Sequence, residues 1–158
     1  MAYQSWMQDR DQDLLQSIMD SVRQVFPIPV VSQTAVPVDE SVELHDIGVL
    51  VGITGDYYGN MILKGDRATF GKLGESMYGM PLEGEMLHSF AGELANMIAG
   101  CTSTIVCGKG RQVDITPPTV MVGKLSLFGN CRGIAVPIDL ENVGNLGLVL
   151  TLQHEGAA

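Results

Sequence analysis

The chain has 158 residues, of which 46% are hydrophobic and 17% charged, and its formal net charge is −9. This length and composition predict one globular domain over residues 1–158 and argue against a disordered chain. An acidic chain without a cluster of lysines and arginines lacks the basic surface that nucleic acids and anionic membranes bind. We therefore expect a soluble protein that binds neither.

Cysteine usage and the N-terminus indicate a cytoplasmic location. Cys101, Cys107 and Cys131 form no CxxC pair and lie far from metal-ligand spacing with any histidine. Such a set suits a reducing compartment, and we expect all three as buried small apolar side chains. The N-terminus lacks the basic start and apolar run of a signal peptide. The apolar stretch 87–107 is interrupted by polar residues, so we expect no membrane span.

The first half of the chain predicts a helix, a hairpin and a second helix. Residues 10–26 carry an apolar stripe at helical period, and the FPIPV segment ends that helix because proline cannot continue it. The run DIGVLVGITGDYYGNMILKG predicts a β-hairpin that pairs 46–54 with 57–64. Asp66 is suited to be the N-cap of a second helix, which we expect to end near Gly79.

The second half predicts a long helix and then several strands. The helix is expected from about Gly84 to Ile105. The segment VDITPPTVMVG predicts two short strands around its two prolines, and CRGIAVPID and NLGLVLTLQH predict two more. Strand–helix–strand crossovers are few. We therefore expect an α+β fold, with a largely antiparallel sheet and the helices packed on one face.

The long helix carries an unusual stripe of small and polar residues. At about 100° per residue, its bulky apolar residues share one arc of the helical wheel. Met86 and Met97 lie on that arc, and we expect them to fill the core. A second arc holds Ser89, Gly92, Glu93, Asn96 and Gly100.

Glycines within this stripe need a reason, because each costs about 1 kcal/mol relative to alanine inside a helix. We interpret Ser89, Gly92 and Gly100 as a partner-docking face that leaves clearance around the acid and the amide. Close packing inside the fold, or at a dimer interface, would explain the same stripe.

Glu93 and Asn96 are one helical turn apart, so both side chains can reach one bound group. No histidine, lysine or cysteine shares their stripe, which argues against a Ser/Cys–base hydrolase and a paired-carboxylate glycosidase. An amide can hold a water in line with a bond to be broken. That suits phosphoryl transfer, where catalysis is mostly positioning and charge stabilisation. The sequence has no phosphate loop, so the substrate would be a protein that brings its own Mg²⁺ and lysine.

The segment SFAGELANMIAG, followed by VDITPPTVMVG, resembles the CheX branch of the CheC/CheX/FliY family of bacterial chemotaxis phosphatases. The run GVLVGITGDYYGNMIL and the Met-Tyr-Gly turn at 77–79 support a resemblance over nearly the whole chain. It implies hydrolysis of the aspartyl phosphate on a CheY-like response-regulator receiver domain. Glu93 would dock to the receiver's lysine, and Asn96 would orient the attacking water. The receiver would supply Mg²⁺, so the chain would need no cofactor of its own.

The resemblance also implies a homodimer formed through the sheets, with one active helix per chain. The first helix has Asp20 and Arg23 at the corresponding spacing, not an acid and an amide. We therefore expect one site per chain. Two other functions stay open. One is a non-catalytic adaptor that binds a phosphorylated receiver, and the other is a structural module whose glycine face packs against its dimer mate.

Overall fold

The computed structural model describes residues 7–38, 41–128 and 132–153. Within these ranges lie three helices: α1 Asp9–Val25, α2 Arg67–Tyr78 and α3 Gly84–Gly108. The same ranges contain ten strands: β1 Val30–Ser32, β2 Val36–Val38, β3 Ser41–Leu44, β4 Ile47–Gly55, β5 Gly59–Gly65, β6 Val113–Ile115, β7 Thr119–Val122, β8 Leu125–Phe128, β9 Arg132–Leu140 and β10 Gly144–Leu152.

The helix ends follow the capping residues. The Asp66 carboxylate accepts a hydrogen bond from the backbone N–H of Thr69 at 2.7 Å, which fixes the start of α2. Gly79 ends that helix in the left-handed region, with φ of 74°, where a residue without Cβ is favoured. Both ends were predicted. The helix α3 continues past the predicted Ile105 to Gly108.

The main sheet is antiparallel at every pairing in the described residues, in the order β1-β9-β10-β5-β4-β6, with β2 also on β9 and β7 also on β4. The predicted hairpin is present as β4–β5, with a register that runs from Ile47 opposite Gly65 to Ile53 opposite Gly59. The predicted α+β fold with a largely antiparallel sheet is therefore confirmed.

The helices pack on one face of this sheet and enclose the main core, whose fully buried side chains include Phe70, Leu94 and Ile98. On the opposite face, a small antiparallel pair formed by β3 and β8 covers a second apolar cluster around Ile62 and Val149. The sequence did not predict this pair. Each strand has four residues and its partner lies far along the chain, so neither leaves a strong local signal.

Helix α3 is long and apolar enough, by length and composition, to cross a membrane. Half of its apolar window is buried inside the fold, and residues such as Leu87, Leu94 and Ile98 belong to the main core. A core helix passes the same length and hydropathy test, and α3 has the packing of such a helix.

Candidate functional site

The outward side of α3 presents the predicted site residues. Glu93 and Ser89 are exposed, and Asn96 and Gly100 are half-buried. In the part of the chain that the structure describes, the side chains of Glu93 and Asn96 make no hydrogen bond or ion pair. The two groups are thus adjacent on one helix surface and free to bind something else.

Met86 and Met97 also lie on this outward side, which contradicts the prediction that they fill the core. Their side chains are 57% and 38% exposed. The buried arc of α3 instead includes the small side chains Ala91, Ala95 and Ala99. Alanines let a helix approach its neighbours closely, so α3 turns this arc inward and its two methionines outward. We call the surface formed by Met86, Ser89, Glu93, Asn96, Met97 and Gly100 the α3 outer face.

Gly92 does not belong to the α3 outer face, although the sequence suggested it. Gly92 is buried, and a Cβ at this position would lie 3.0 Å from Val120 Cγ2 and 3.9 Å from Pro118 Cγ. Packing against the β6–β7 segment therefore explains this glycine. Gly100 differs, because a Cβ there would meet no described atom within 4 Å. Nothing in the described fold requires Gly100 to lack a side chain.

The Pro117-Pro118 segment forms one wall beside α3. It separates β6 from β7, which both pair with β4. Thr116 holds this interruption in place: its backbone N–H donates to Gly52 O at 3.0 Å, and its Oγ1 accepts from Gly52 N at 2.8 Å. The hydroxyl thus accepts the hydrogen bond of Gly52 N–H at the point where β6 ends and the two prolines begin. Thr116 thus has a structural role.

Helix α1 lies antiparallel to α3 on the other side and joins it through polar contacts. Lys109 Nζ contacts Asp13 Oδ1 at 2.9 Å near the C-terminus of α3. About two turns earlier, the Thr102 hydroxyl donates to Ser21 Oγ at 2.9 Å, and both residues are buried. These contacts set the rotation of α3 about its axis and so determine which residues face outward.

The cysteines differ from the prediction that they are buried. Cys101 is half-buried and its thiol donates to Gln24 Oε1 at 3.4 Å, whereas Cys107 is exposed near the end of α3. Cys131 lies outside the described residues. The rotation of α3 that exposes Met97 brings Cys101 beside α1, where its thiol contacts Gln24.

A surface cavity of about 480 Å³ lies beside the first turns of α3. Its lining residues are Arg67, Leu82, Glu83, Gly84, Leu87, His88 and Val122. Arg67 pairs with Asp46 at 2.8 Å, and these hydrogen bonds from Arg67 hold the pKa of the Asp46 carboxyl below its usual range. Neither Glu93 nor Asn96 lines this cavity. The two side chains project from a convex helix surface, which can enter a pocket of another molecule.

A cluster of metal-binding side chains is absent from this surface as far as the structure describes it. Among residues 7–38, 41–128 and 132–153, no group of three or more His, Cys, Asp or Glu side chains is placed to hold a metal ion. The α3 outer face therefore offers one carboxylate, one amide, the Ser89 hydroxyl and apolar surface. This set can bind a cation, orient a water molecule and contact an apolar rim.

The family model and the sequence relative that match this chain both belong to the same family. A model of the family described as "Chemotaxis phosphatase CheX" matches residues 47–139. The protein "CheY-P phosphatase CheX" from Thermotoga maritima is 30% identical over 150 residues, which cover 90% of this chain and 95% of that protein.

Two crystal structures share the fold. A CheC-like superfamily protein from Shewanella sp. PV-4 has a TM-score of 0.80 at 18% identity, covering 94% of this chain and 100% of that chain. The CheX–CheY–BeF₃–Mg²⁺ complex from Borrelia burgdorferi contains a chain with a TM-score of 0.73 at 22% identity, covering 90% of this chain and 97% of that chain. The architecture of sheet and helices is common to all three.

Proposed function

This chain belongs to the CheX family of chemotaxis phosphatases, and we propose on that basis that it dephosphorylates the receiver domain of a CheY-like response regulator. Its relative from Thermotoga maritima is named a CheY-P phosphatase, and the Borrelia burgdorferi neighbour was crystallised as a complex with CheY. The observation on this chain that carries the proposal is the α3 outer face. It holds Glu93 and Asn96 side by side, with neither side chain bonded to another described residue.

The proposed reaction is hydrolysis of an aspartyl phosphate. Asn96 enters the receiver pocket and holds a water molecule in line with the phosphorus–oxygen bond to the aspartate. The water oxygen attacks phosphorus, that bond breaks, inorganic phosphate leaves and the aspartate carboxylate is regenerated. A neutral amide suits this role because it both accepts and donates hydrogen bonds in a fixed geometry. Mg²⁺ bound by the receiver would neutralise charge on the phosphoryl oxygens.

Glu93 has a different role in the proposal. Its carboxylate is exposed one turn from Asn96, so it can pair with the lysine of the receiver's active site and set the register of docking. A pair of this kind contributes to binding throughout the reaction. Substitution of Glu93 should therefore act mainly on affinity, whereas substitution of Asn96 should act mainly on turnover.

We also propose that the protein works as a cytoplasmic homodimer assembled through its sheets. Val31 and Val36, on the short strands that pair with β9, are 60% and 47% exposed. Exposed apolar side chains at a sheet edge are suited to contact a second copy. Light scattering coupled to size-exclusion chromatography should give twice the monomer mass, and a monomer would contradict this part of the proposal.

The test of the phosphatase proposal follows phosphate release from a receiver labelled with acetyl phosphate in Mg²⁺. The wild type should accelerate release, and Asn96→Ala should lower turnover on the order of 100-fold while keeping receiver affinity. Glu93→Lys should weaken docking itself, because it places two cations together. Full activity of Asn96→Ala would contradict the assigned role. Receiver binding by the wild type with unchanged phosphate lifetime would identify the chain as a non-catalytic adaptor.

A further inference from the structure

Two exposed methionines frame Glu93 on the α3 outer face. Met86 and Met97 lie seven residues before Glu93 and four residues after it, so the three side chains fall within about 40° of arc on the helix. The axial separation of the two methionines is about 16 Å, with Glu93 between them. The side chains are 57% and 38% exposed. The stripe is therefore apolar at both ends and acidic in the middle.

The fold does not need methionine at these positions. The buried arc of α3 is completed by other residues, among them Leu87, Leu94 and Ile98. A water-facing helix position is normally filled by a charged or amide side chain of similar helix propensity. Methionine there presents a flexible, polarisable thioether that adapts to irregular apolar surfaces. Two such side chains on the stripe that carries Glu93 indicate contact with another molecule.

The charges on this stripe favour a receiver over a second copy or a lipid surface. In a two-fold contact centred on the stripe, each Glu93 would approach its own symmetry mate, which like charge disfavours. An anionic membrane would be repelled by Glu93 and by exposed Glu85 on the next turns of the same side. A partner with a cation between two apolar patches fits all three side chains.

We propose that Met86 and Met97 are the apolar docking contacts for the phosphorylated receiver, one on each side of the lysine that Glu93 binds. This inference rests on the proposed function and specifies its partner surface: the receiver should carry apolar side chains on opposite rims of its phosphorylation pocket. The methionines do not touch the reacting atoms. They determine affinity and the choice among receivers, while Asn96 determines turnover.

The experiment replaces each methionine by glutamine, which keeps side-chain length and helix propensity and removes the apolar end. The glutamine variants are Met86→Gln, Met97→Gln and the double variant. They are compared with Met86→Leu and Met97→Leu, which keep an apolar side chain at each position. Tyr58→Gln is the matched control, because Tyr58 is 59% exposed in the β4–β5 connection and lies off α3.

Two readouts separate the inference from the proposed function. The first is the Kd for each single-domain CheY-like receiver of the host organism, loaded with Mg²⁺ and beryllofluoride. The second is KM and kcat for phosphate release from the same receivers. Each glutamine variant should raise Kd and KM about tenfold, as expected for the loss of one buried methionine contact. The leucine variants and Tyr58→Gln should bind like the wild type, and kcat should be unchanged throughout.

Unchanged Kd in the double glutamine variant would overturn the inference while the phosphatase proposal stands. Wild-type binding without hydrolysis would overturn the phosphatase proposal, and the Kd values would still decide the role of the methionines. Binding to none of the receivers would overturn both.

Discussion

The outward surfaces of α1 and α3 differ although the two helices lie side by side. On α1, Gln16 Nε2 donates to Asp20 Oδ1 at 2.9 Å, and Arg23 lies 3.9 Å from the same carboxylate. These three polar side chains contact one another. On α3, Glu93 and Asn96 contact no polar group in the described ranges.

Under the proposed function, the difference separates a surface that serves solubility from one that docks to the receiver. Exposed pairs such as Asp20 and Arg23 contribute little to stability, with a median of about 0–1 kcal/mol, and are common on water-facing helices. The α3 outer face combines an unpaired acid and amide with exposed Met86 and Met97. No contact in the described fold explains that combination, and the proposed receiver docking would explain it.

The largest effect on phosphate release should come from exchanging an amide for a carboxylate on α3, compared with the reverse exchange on α1. Asn96→Asp keeps side-chain size, removes the amide donor and places a negative charge next to the phosphoryl group. Phosphate release from the labelled receiver should fall on the order of 100-fold or more. Asp20→Asn, the reverse exchange on α1, should leave the rate unchanged. Equal losses of phosphate release in both variants would contradict the assignment of the site to α3.

Removing the buried Thr102–Ser21 hydrogen bond between α1 and α3 should lower stability and leave the rate of phosphate release unchanged. Thr102→Val removes the hydroxyl that donates to Ser21 Oγ at 2.9 Å and keeps the shape of the side chain. The free energy of unfolding should fall by about 1 kcal/mol, measured by urea denaturation of the purified protein. Arg23→Ala, which breaks the exposed pair on α1, should cost less than about 0.5 kcal/mol. A larger loss from Arg23→Ala would contradict this ranking.

Gly92 and Gly100, the two glycines inside α3, should respond differently to replacement by alanine. Gly100→Ala adds a Cβ to open space and should stabilise the fold by up to about 1 kcal/mol. Gly92→Ala should lose that gain, because its Cβ would lie 3.0 Å from Val120 Cγ2. Thermal unfolding of the two variants measures the difference. If Gly100 provides clearance for docking, Gly100→Ala should also weaken receiver binding; unchanged affinity would remove Gly100 from the docking face.

Helix α2 and the β4–β5 hairpin could be predicted because their signals are local. Asp66 caps the start of the helix and Gly79 marks its end. Each residue bonds to a backbone group within about one turn of its own position. Likewise, the apolar runs that form β4 and β5 lie in adjacent stretches of chain. The β3–β8 pair depends on strands brought together by the rest of the fold, so no window of sequence contains its register.

The candidate site was predictable in its chemistry and not in its surroundings. Glu93 and Asn96 share one face of any helix that contains them, because three residues correspond to nearly one turn. Their roles in docking and water positioning stay a proposal. The wheel centred the core on the bulkiest residues and so placed Met86 and Met97 inside. It also assigned Gly92 to a partner, whereas Val120 of this chain occupies the space.

The sequence by itself determined that a long helix exists and that it carries an acid and an amide one turn apart, since helical period and spacing are local properties of the chain. Only the tertiary structure decided how that helix is rotated. The rotation depends on how closely Ala91, Ala95 and Ala99 let α3 approach its neighbours, and on the contacts that α1 and the β6–β7 segment make on either side. These packing contacts involve residues that are far apart in the sequence, so no local pattern predicts them. They place Met86 and Met97 on the surface and not in the core.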